Sequence, residues 1–298
     1  MDTRVLKYFL TVAREENITK AAEILHITQP TLSRQLLKLE EDLGTQLFIR
    51  GKKGIALTNE GMLFRRRASE IAELADKAER ELSENELLID GEITIGCGES
   101  ESVKIIPKLF MSFKEKYPNV GLDLYTGNAD QIKQRIDNGL TDIGILLEPV
   151  EIEKYNFIRL NVYEKWVVVM RADDAVTEKE FLTIEDLCNL PLIIPKRQSV
   201  RNEVESWFRG HMDKLNIVAS SNLSTNASIL VEQGLGYALI IEGSMPFLDK
   251  TRITYRPIYP ERKTTSVLAW KKNQPFGLAA TKFLEHIQCG LGIDNNEI

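Results

Sequence analysis

Apolar residues recur at steps of three and four in three short stretches near the start of the chain, which predicts three amphipathic helices. The first stretch covers residues 2–15 and the second covers residues 18–25. The third follows Thr28, a residue type favoured at the N-cap, has Pro30 in its first turn, and stops at Gly44. Its apolar stripe consists of Leu32, Leu36, Leu39 and Leu43. Two short apolar strands around a basic, glycine-containing hairpin come next, so the pattern predicts a helix-turn-helix followed by a wing.

The polar face at the start of the third helix has side chains that reach base edges and phosphates. A helix-turn-helix places the N-terminal part of its second helix in the major groove of double-stranded DNA. The basic hairpin suits phosphate or the minor groove. The expected DNA-binding residues are therefore Thr28, Gln29, Pro30, Thr31, Ser33, Arg34 and Lys38 of the helix and Arg50, Lys52 and Lys53 of the hairpin.

A single long helix is predicted after the wing, because residues 62–88 contain neither glycine nor proline. Thr58 is placed to cap it. Apolar residues recur along it at three- and four-residue steps and charges cover the rest, so the stripe needs a partner. Dimerisation accounts for the stripe better than a solvated connector does. The arginines at residues 65–67 either face the DNA backbone or balance Glu70 and Glu73.

Strands and helices alternate from Gly91 onward, and this pattern predicts doubly wound parallel sheets. A strongly apolar strand at residues 166–170 separates two such series. The most economical layout is two α/β, Rossmann-like subdomains. The chain is expected to cross between them near residues 161–165 and to return near residues 265–269.

Charge is distributed unevenly along the 298 residues, although the net charge is −6. Residues 1–67 contain 12 Lys and Arg against 8 Asp and Glu, whereas the remainder contains 26 against 36. Positive charge is therefore concentrated in the segment that is predicted to read DNA.

Cysteine and histidine usage argues against a disulfide framework, a zinc site and an enzyme. The cysteines are far apart and form no CxxC motif, which is typical of a reduced cytoplasmic protein. The three histidines occur singly, and we find no catalytic constellation. No apolar run has the length of a signal peptide or a membrane span. We expect a cytoplasmic protein with no enzymatic activity, no metal, no cofactor and no membrane partner.

The segment AAEILHITQPTLSRQLLKLEEDLGTQLFIRGKKGIALTNEG closely resembles the winged helix-turn-helix signature of LysR-type transcriptional regulators. The resemblance is dense over the first 67 residues, with Thr28 and Thr31 where many members carry serine. It is patchier afterwards, resting on the order of elements and on the motif VEQGLGYALI. It implies an antiparallel dimer contact through the long helix, and a C-terminal region with the architecture of periplasmic binding proteins.

The pattern and the resemblance together suggest an α+β multi-domain chain with three parts. Residues 1–58 are expected to form the DNA-binding domain, and residues 59–89 the linker helix that dimerises. Residues 90–298 are expected to form the effector-binding domain. Within it, subdomain I comprises residues 90–162 plus 268–298, and subdomain II comprises residues 163–267.

Ligands in open α/β sheets bind beyond the carboxyl ends of strands, against helix N-termini. The resemblance places the effector in a cleft lined by these strand ends and helix N-termini. Each polar residue at such a helix N-terminus also fits an ordinary helix cap. Glu99 and Glu101 are unusual beside an anion site, so either they point away or the effector carries an amine. The expected effector-binding residues are Ser100, Glu101, Ser102, Leu147, Glu148, Gln198, Ser199, Ser224, Thr225 and Asn226.

The leading hypothesis is a transcriptional regulator that reads an inverted repeat and responds to a small molecule of unknown identity. The alternative is a regulator of the same fold with no small-molecule effector, acting constitutively or through oxidation of Cys97. A solute-uptake protein lacks the expected signal peptide, and an enzyme on this fold would leave the first 88 residues unexplained. The resemblance further implies pairing of dimers into tetramers, and RNA polymerase is a further expected partner.

Overall fold

The structure is a computed structural model that describes residues 2–51, 54–83, 89–209, 214–247 and 249–291. The chain divides into two compact units, residues 1–83 and residues 84–298. Within the described ranges, no helix combines the length and the apolar character that a membrane crossing requires.

The N-terminal unit contains the three predicted helices, the wing and a long helix. Its elements are α1 (Thr3–Glu15), α2 (Ile18–Ile24), α3 (Gln29–Leu43), β1 (Phe48–Gly51), β2 (Gly54–Leu57) and α4 (Asn59–Ser83). Side chains of the preceding residues Asp2, Asn17 and Thr28 cap the first three helices. Gly44 ends α3 in the left-handed region, with φ of 66°, which glycine adopts without strain. The predicted winged helix-turn-helix is confirmed.

Aromatic packing joins the wing to α1 and α4, and one carboxylate joins it to α3. Phe9 of α1 is fully buried, and its ring lies 5.1 Å from Phe48 of β1 and 4.9 Å from Phe64 of α4. Glu40 of α3 accepts hydrogen bonds from the backbone N–H groups of Leu47 (2.7 Å) and Phe48 (3.0 Å). The orientation of the wing relative to α3 is therefore set by the core and by charge-assisted hydrogen bonds.

The buried stripe of α3 is shorter than the sequence predicted. Leu32, Leu36 and Leu39 are at most 3% exposed, whereas Leu43 is 41% exposed. A turn of 100° per residue places Leu43 on the same face. It is the last residue of the helix, however, and the buried cluster ends one turn before it.

Helix α4 has apolar residues on two faces instead of one stripe. Phe64, Ala68 and Ala72 are turned inward, and α4 packs along α1. Ile71 and Leu74 are 40% and 44% exposed. The helix is described as far as Ser83, so the predicted continuation to Leu88 lies outside the described residues. One face thus belongs to the N-terminal unit, and the other is open.

The C-terminal unit contains the predicted alternation of strands and helices. Its strands are β3 (Gly91–Cys97), β4 (Val120–Thr126), β5 (Ile143–Leu147), β6 (Tyr155–Arg171), β7 (Leu182–Thr183), β8 (Pro191–Pro195), β9 (Asn216–Ser221), β10 (Tyr237–Ile241), β11 (Ile253–Tyr259) and β12 (Lys263–Lys271). Its helices are α5 (Ile105–Lys116), α6 (Ala129–Asp137), α7 (Ile184–Cys188), α8 (Gln198–Trp207), α9 (Ser224–Glu232) and α10 (Leu278–Gly290).

The strands form two sheets that share the long strand β6. The first runs β4-β3-β5-β12-β6, and the second runs β6-β10-β8-β9 with β11 also paired to β6. The β3–β4, β3–β5, β8–β9 and β8–β10 pairs are parallel, but β12 and β6 run antiparallel to their neighbours. The sheets are therefore mixed and not purely parallel as predicted. We call the part built on the first sheet lobe 1 and the part built on the second sheet lobe 2.

The two lobes are joined by a pair of adjacent crossing segments. The first half of β6 pairs in lobe 1 and its second half pairs in lobe 2. The returning segment runs beside it, with Lys263 opposite Lys165 and Thr265 opposite Tyr163, and a bulge follows Thr265. The chain thus returns slightly earlier than predicted, because the return strand lies in register against the outgoing one.

Helix α6 lies unusually close to the first sheet. A Cβ built on Gly96 or Gly144 would come within 2.6 or 2.8 Å of Cγ2 of Ile132. Glycine at these two strand positions allows the helix to seat directly on the sheet. This close packing brings the N-terminus of α6 to the edge where the ends of β3 and β5 meet.

Candidate functional site

The N-terminal half of α3 presents an exposed polar face. Gln29, Thr31, Arg34 and Lys38 are exposed, and Ser33 is half-buried. Among the residues that the structure describes, Arg34 and Lys38 have no carboxylate partner. A positively charged side chain that has no partner within the protein is available to bind an external anion such as a phosphate.

Local hydrogen bonds order the first turn of this face. The hydroxyl of Thr28 accepts from the backbone N–H of Thr31 at 3.4 Å, and the two hydroxyl oxygens are 2.8 Å apart. The amide of Gln29 donates to the hydroxyl of Ser33 at 2.9 Å. Pro30 lies in the same turn and is exposed. The polar side chains are therefore held together on one surface before any contact with DNA.

The wing places one of its three predicted basic residues on a strand. The backbone of Arg50 pairs with Ile55 across β1 and β2. Lys52 and Lys53 lie outside the described residues. A phosphate contact by the hairpin stays a prediction.

The C-terminal unit contains a cleft between its two lobes, with a volume of about 120 Å³. Its walls come from the carboxyl ends of strands in both lobes, as the topological rule requires. The apolar part of the lining includes Trp166 of β6, Ile193 of β8 and Leu239 of β10. Three of the predicted effector-binding residues line it, namely Ser100, Leu147 and Ser224.

Three predicted residues in lobe 1 lie outside this lining. Glu101 pairs with Lys104 at 2.6 Å on the surface. Ser102 is fully buried, and both its N–H and its hydroxyl donate to Glu164, at 3.1 and 3.3 Å. Glu148 accepts from the hydroxyl of Thr265 beside the crossing segments. Successive residues after a strand point in different directions, so a loop at the cleft does not turn every one of its side chains into the lining.

The other predicted residues outside the lining belong to α8 and α9. The Gln198 amide donates to Asn202 at 2.6 Å, and the Ser199 hydroxyl is 3.4 Å from the Pro149 carbonyl oxygen. Thr225 is half-buried and Asn226 is exposed. Each helical residue turns by 100°, so only some residues of each helix face the cleft: Val200 of α8, and Ser224 and Ala227 of α9.

Two side chains missing from the predicted set bridge the lobes. The carboxylate of Glu99 in lobe 1 accepts from the N–H of Thr225 at 3.0 Å and from its hydroxyl at 2.8 Å. Arg197 of lobe 2 donates to Asp130 at 3.1 Å and to the Leu147 carbonyl at 2.9 Å. The strand-to-helix rule did identify both segments. Sequence alone does not show which residue of a junction crosses the cleft.

Unpartnered hydrogen-bond donors face the cleft. Asn128 caps α6, but neither α8 nor α9 has a side-chain cap of its own, and Glu99 bonds one α9 amide. Ser100 is 8% exposed, and its hydroxyl has no partner among the described residues. Lys196 lines the cleft, and its ammonium also lacks a partner in the described part of the chain. Such donors at helix N-termini can bind an anion.

A buried carboxylate lies where β6 crosses between the lobes. Glu164 is 1% exposed, and Oε2 has no hydrogen-bond partner. Burial raises its pKa, and the hydrogen bonds from Ser102 oppose this. A Cβ built on Gly243 of lobe 2 would lie 2.2 Å from the backbone nitrogen of Glu101, so the lobes touch here at the backbone.

Cysteine and metal chemistry have little support in the described residues. Cys97 is 4% exposed, and burial raises its pKa, which disfavours the reactive thiolate. Cys188 is also buried, and Cys289 is exposed. Within the described ranges, no group of three metal-ligating side chains could hold an ion.

Comparisons with known proteins match both units. The family described as "LysR substrate binding domain" matches residues 88–291, and "Bacterial regulatory helix-turn-helix protein, lysR family" matches residues 3–62. The Hca operon transcriptional activator HcaR of Escherichia coli (strain K12) is 31% identical over 284 residues, covering 92% of this chain and 93% of HcaR.

Solved structures support the fold. The crystal structure of CbnR, a LysR family transcriptional regulator, has a TM-score of 0.73 at 23% identity, covering 97% of this chain and 99% of CbnR. Full-length CbnR complexed with its target DNA has a TM-score of 0.71 at 22% identity, with the same coverage. The chain therefore belongs to the LysR family and is a DNA-binding transcriptional regulator with a substrate-binding domain.

Proposed function

We propose that the protein regulates transcription by reading an inverted-repeat promoter site as a dimer, under the control of a small-molecule effector in the cleft between lobes 1 and 2. One observation carries the proposal. A chain that belongs to a DNA-binding family also contains a cleft lined by donors without a partner among the described residues, namely the hydroxyl of Ser100, a residue that is 8% exposed, and the ammonium of the exposed Lys196. Unsatisfied buried polar groups are costly in a folded protein, and a ligand that satisfies them would favour one arrangement of the lobes.

The proposed DNA-reading surface is the polar face of α3, supported by the wing. Arg34 and Gln29 have the side chains best suited to base edges, and Lys38 suits phosphate. Thr28, Pro30, Thr31 and Ser33 fit against the groove beside them. The positive charge of residues 1–67 supports the same assignment.

The proposed effector is small and carries an anionic group. A cavity of about 150 Å³ holds benzene, so the present cleft of about 120 Å³ suits a compact metabolite. Ser100, Lys196 and the uncapped N-terminus of α8 supply donors for the anion, and Trp166 and its apolar neighbours supply the rest of the wall.

The exposed apolar face of α4 supports dimerisation. Leu63, Ile71 and Leu74 are 62%, 40% and 44% exposed on a helix whose other face is already packed. Covering these side chains with a second copy removes apolar surface from water. We further propose pairing of dimers into tetramers, contact with RNA polymerase, and a cytoplasmic location. Residues 1–58, 59–89 and 90–298 are then the DNA-binding, linker and effector-binding domains, with subdomain I (90–162 plus 268–298) and subdomain II (163–267).

Control by oxidation of Cys97 is the weaker candidate. The thiol is buried and its raised pKa keeps it protonated, whereas redox-sensing cysteines are exposed and readily ionised. Constitutive action would leave the donors in the cleft without a role.

The DNA half of the proposal is tested by selecting fragments from a random duplex pool with the full chain and measuring their affinity for variants. Arg34→Ala and Gln29→Ala should each weaken binding to the selected DNA site by about 1–3 kcal/mol and leave the circular-dichroism melt unchanged. Lys114→Ala removes the same charge as Arg34→Ala from a helix in the other unit and should bind normally. Wild-type affinity in both α3 variants would show that the reading face is elsewhere.

A further inference from the structure

Glu99 places a negative charge in the wall of a cleft that otherwise offers donors. Its carboxylate lines the cleft in lobe 1, and its two bonds both come from Thr225, which is neutral. Within the described residues, no Lys, Arg or His pairs with it. A carboxylate has about four acceptor positions, so Glu99 has free positions for another donor.

Lys196 is its counterpart in lobe 2. It is an exposed residue that lines the same cleft, its ammonium has no partner in the described part of the chain, and it forms no ion pair with Glu99. The start of α8, which has no side-chain cap, follows it in the chain. Ser100, a residue that is 8% exposed and whose hydroxyl has no partner among the described residues, lines the same cleft. The cleft therefore contains one uncompensated charge of each sign, on opposite lobes.

A purely anionic ligand fits this arrangement poorly. It would satisfy Lys196 but would bring a second negative charge into a small space beside Glu99. A purely cationic ligand would leave the Ser100 hydroxyl without a partner and would gain nothing from the charge of Lys196. A molecule with both charges can pair with Lys196 of lobe 2 and with Glu99 of lobe 1 at the same time, which draws the two lobes together.

We propose that the effector is a small dipolar molecule of the aliphatic α-amino acid class, a proposal that rests on the effector-controlled function above. Its carboxylate binds Lys196, Ser100 and the N-terminus of α8. Its ammonium donates to Glu99, which Thr225 holds in position, and its side chain packs against Trp166. Glu99 is then the residue that distinguishes amino acids from simple carboxylic acids.

The test uses the full chain and matched probes of increasing size. L-Alanine, L-valine and L-leucine are compared with the same skeletons lacking the amine (propionate, isovalerate and 4-methylvalerate) or lacking the carboxylate (ethylamine, isobutylamine and isoamylamine). Binding is followed by tryptophan fluorescence, because Trp166 lines the cleft. At least one amino acid should bind, and both of its truncated analogues should bind at least tenfold more weakly.

Glu99→Gln is the decisive variant. Glutamine can still accept from the N–H of Thr225 and donate to its hydroxyl, so the contact between the lobes is kept while the charge is lost. Affinity for the amino acid should fall at least tenfold, and affinity for the deaminated acid should rise. Glu115→Gln, the same change at an exposed position of α5, should alter neither affinity.

Two outcomes overturn the inference. If the deaminated acids bind as tightly as the amino acids and Glu99→Gln changes nothing, the cleft is an effector site for simple anions, and the proposed function survives without the inference. If no amino acid binds at 10 mM, the inference is also wrong. The selection of DNA fragments and the Arg34 variant then decide the proposed function independently.

Discussion

Replacing Arg197 by alanine should loosen the contact between lobes 1 and 2. The guanidinium reaches from the start of α8 to the opposite lobe, where it bonds both Asp130 and the Leu147 carbonyl, and the side chain is 7% exposed. Alanine removes both bonds and leaves the carbonyl without this partner.

The two bonds differ in strength because their acceptors differ in exposure. A hydrogen bond from a buried cation to the Leu147 carbonyl contributes about 1.5–3 kcal/mol. The pair with Asp130 contributes at most about 1 kcal/mol, because the Asp130 side chain is 61% exposed and stays hydrated when its partner is lost. The expected loss is about 1.5–4 kcal/mol, which lowers the melting temperature of a unit of this size by several degrees, about 2–4 °C per kcal/mol.

Tryptophan fluorescence of the full chain reads this unit selectively, because all three tryptophans lie in it, at positions 166, 207 and 270. Arg201→Ala is the matched control. It lies one turn further along α8 and pairs with Glu205 at 2.7 Å on a half-exposed surface. Such a pair contributes about 0.3–0.5 kcal/mol, so this variant should melt close to the wild type.

Equal melting temperatures of Arg197→Ala and Arg201→Ala would contradict this prediction. That result would mean that the desolvation cost of the buried guanidinium cancels its hydrogen bonds. Arg197→Ala should also weaken the proposed amino-acid binding, because Arg197 and Leu147 both line the cleft and their hydrogen bond joins its two walls.

Three further predictions concern other parts of the molecule. Gly243→Ala should lower the free energy of unfolding by about 1–3 kcal/mol in the same melt, because the new Cβ meets backbone atoms. Gly98→Ala should leave it unchanged, because the nearest atom to a Cβ there is 3.6 Å away. Equal melting temperatures of the two variants would contradict the close contact of the lobes. Leu74→Glu should lower the average molar mass that light scattering measures, because the proposed dimer dissociates. An unchanged molar mass would exclude this face of α4 as the dimer interface. Ellman's reagent should label exposed Cys289 quickly and Cys97 after unfolding, so fast native labelling of Cys97 would revive the redox alternative.

The sequence by itself determined the elements and their order, because these depend on neighbours along the chain. The apolar spacing of α1–α3, the cap at Thr28 and the glycine at position 44 are local signals. They predict helices that form where they were expected, with α3 beginning after Thr28 and ending at Gly44. The alternation of strands and helices likewise determined that polar loops would gather at the carboxyl ends of sheets.

Only the tertiary structure decided which side chains those loops turn into the cleft. Ser100 lines the cleft, while Ser102, two residues later, is buried against Glu164 from a distant strand. Arg197 and Glu99 reach across to partners that are 50 and 126 residues away. Such contacts depend on how two separately folded sheets meet, and no periodicity in the chain encodes that distance. The same reason explains why one predicted stripe on α4 became a packed face and an open one.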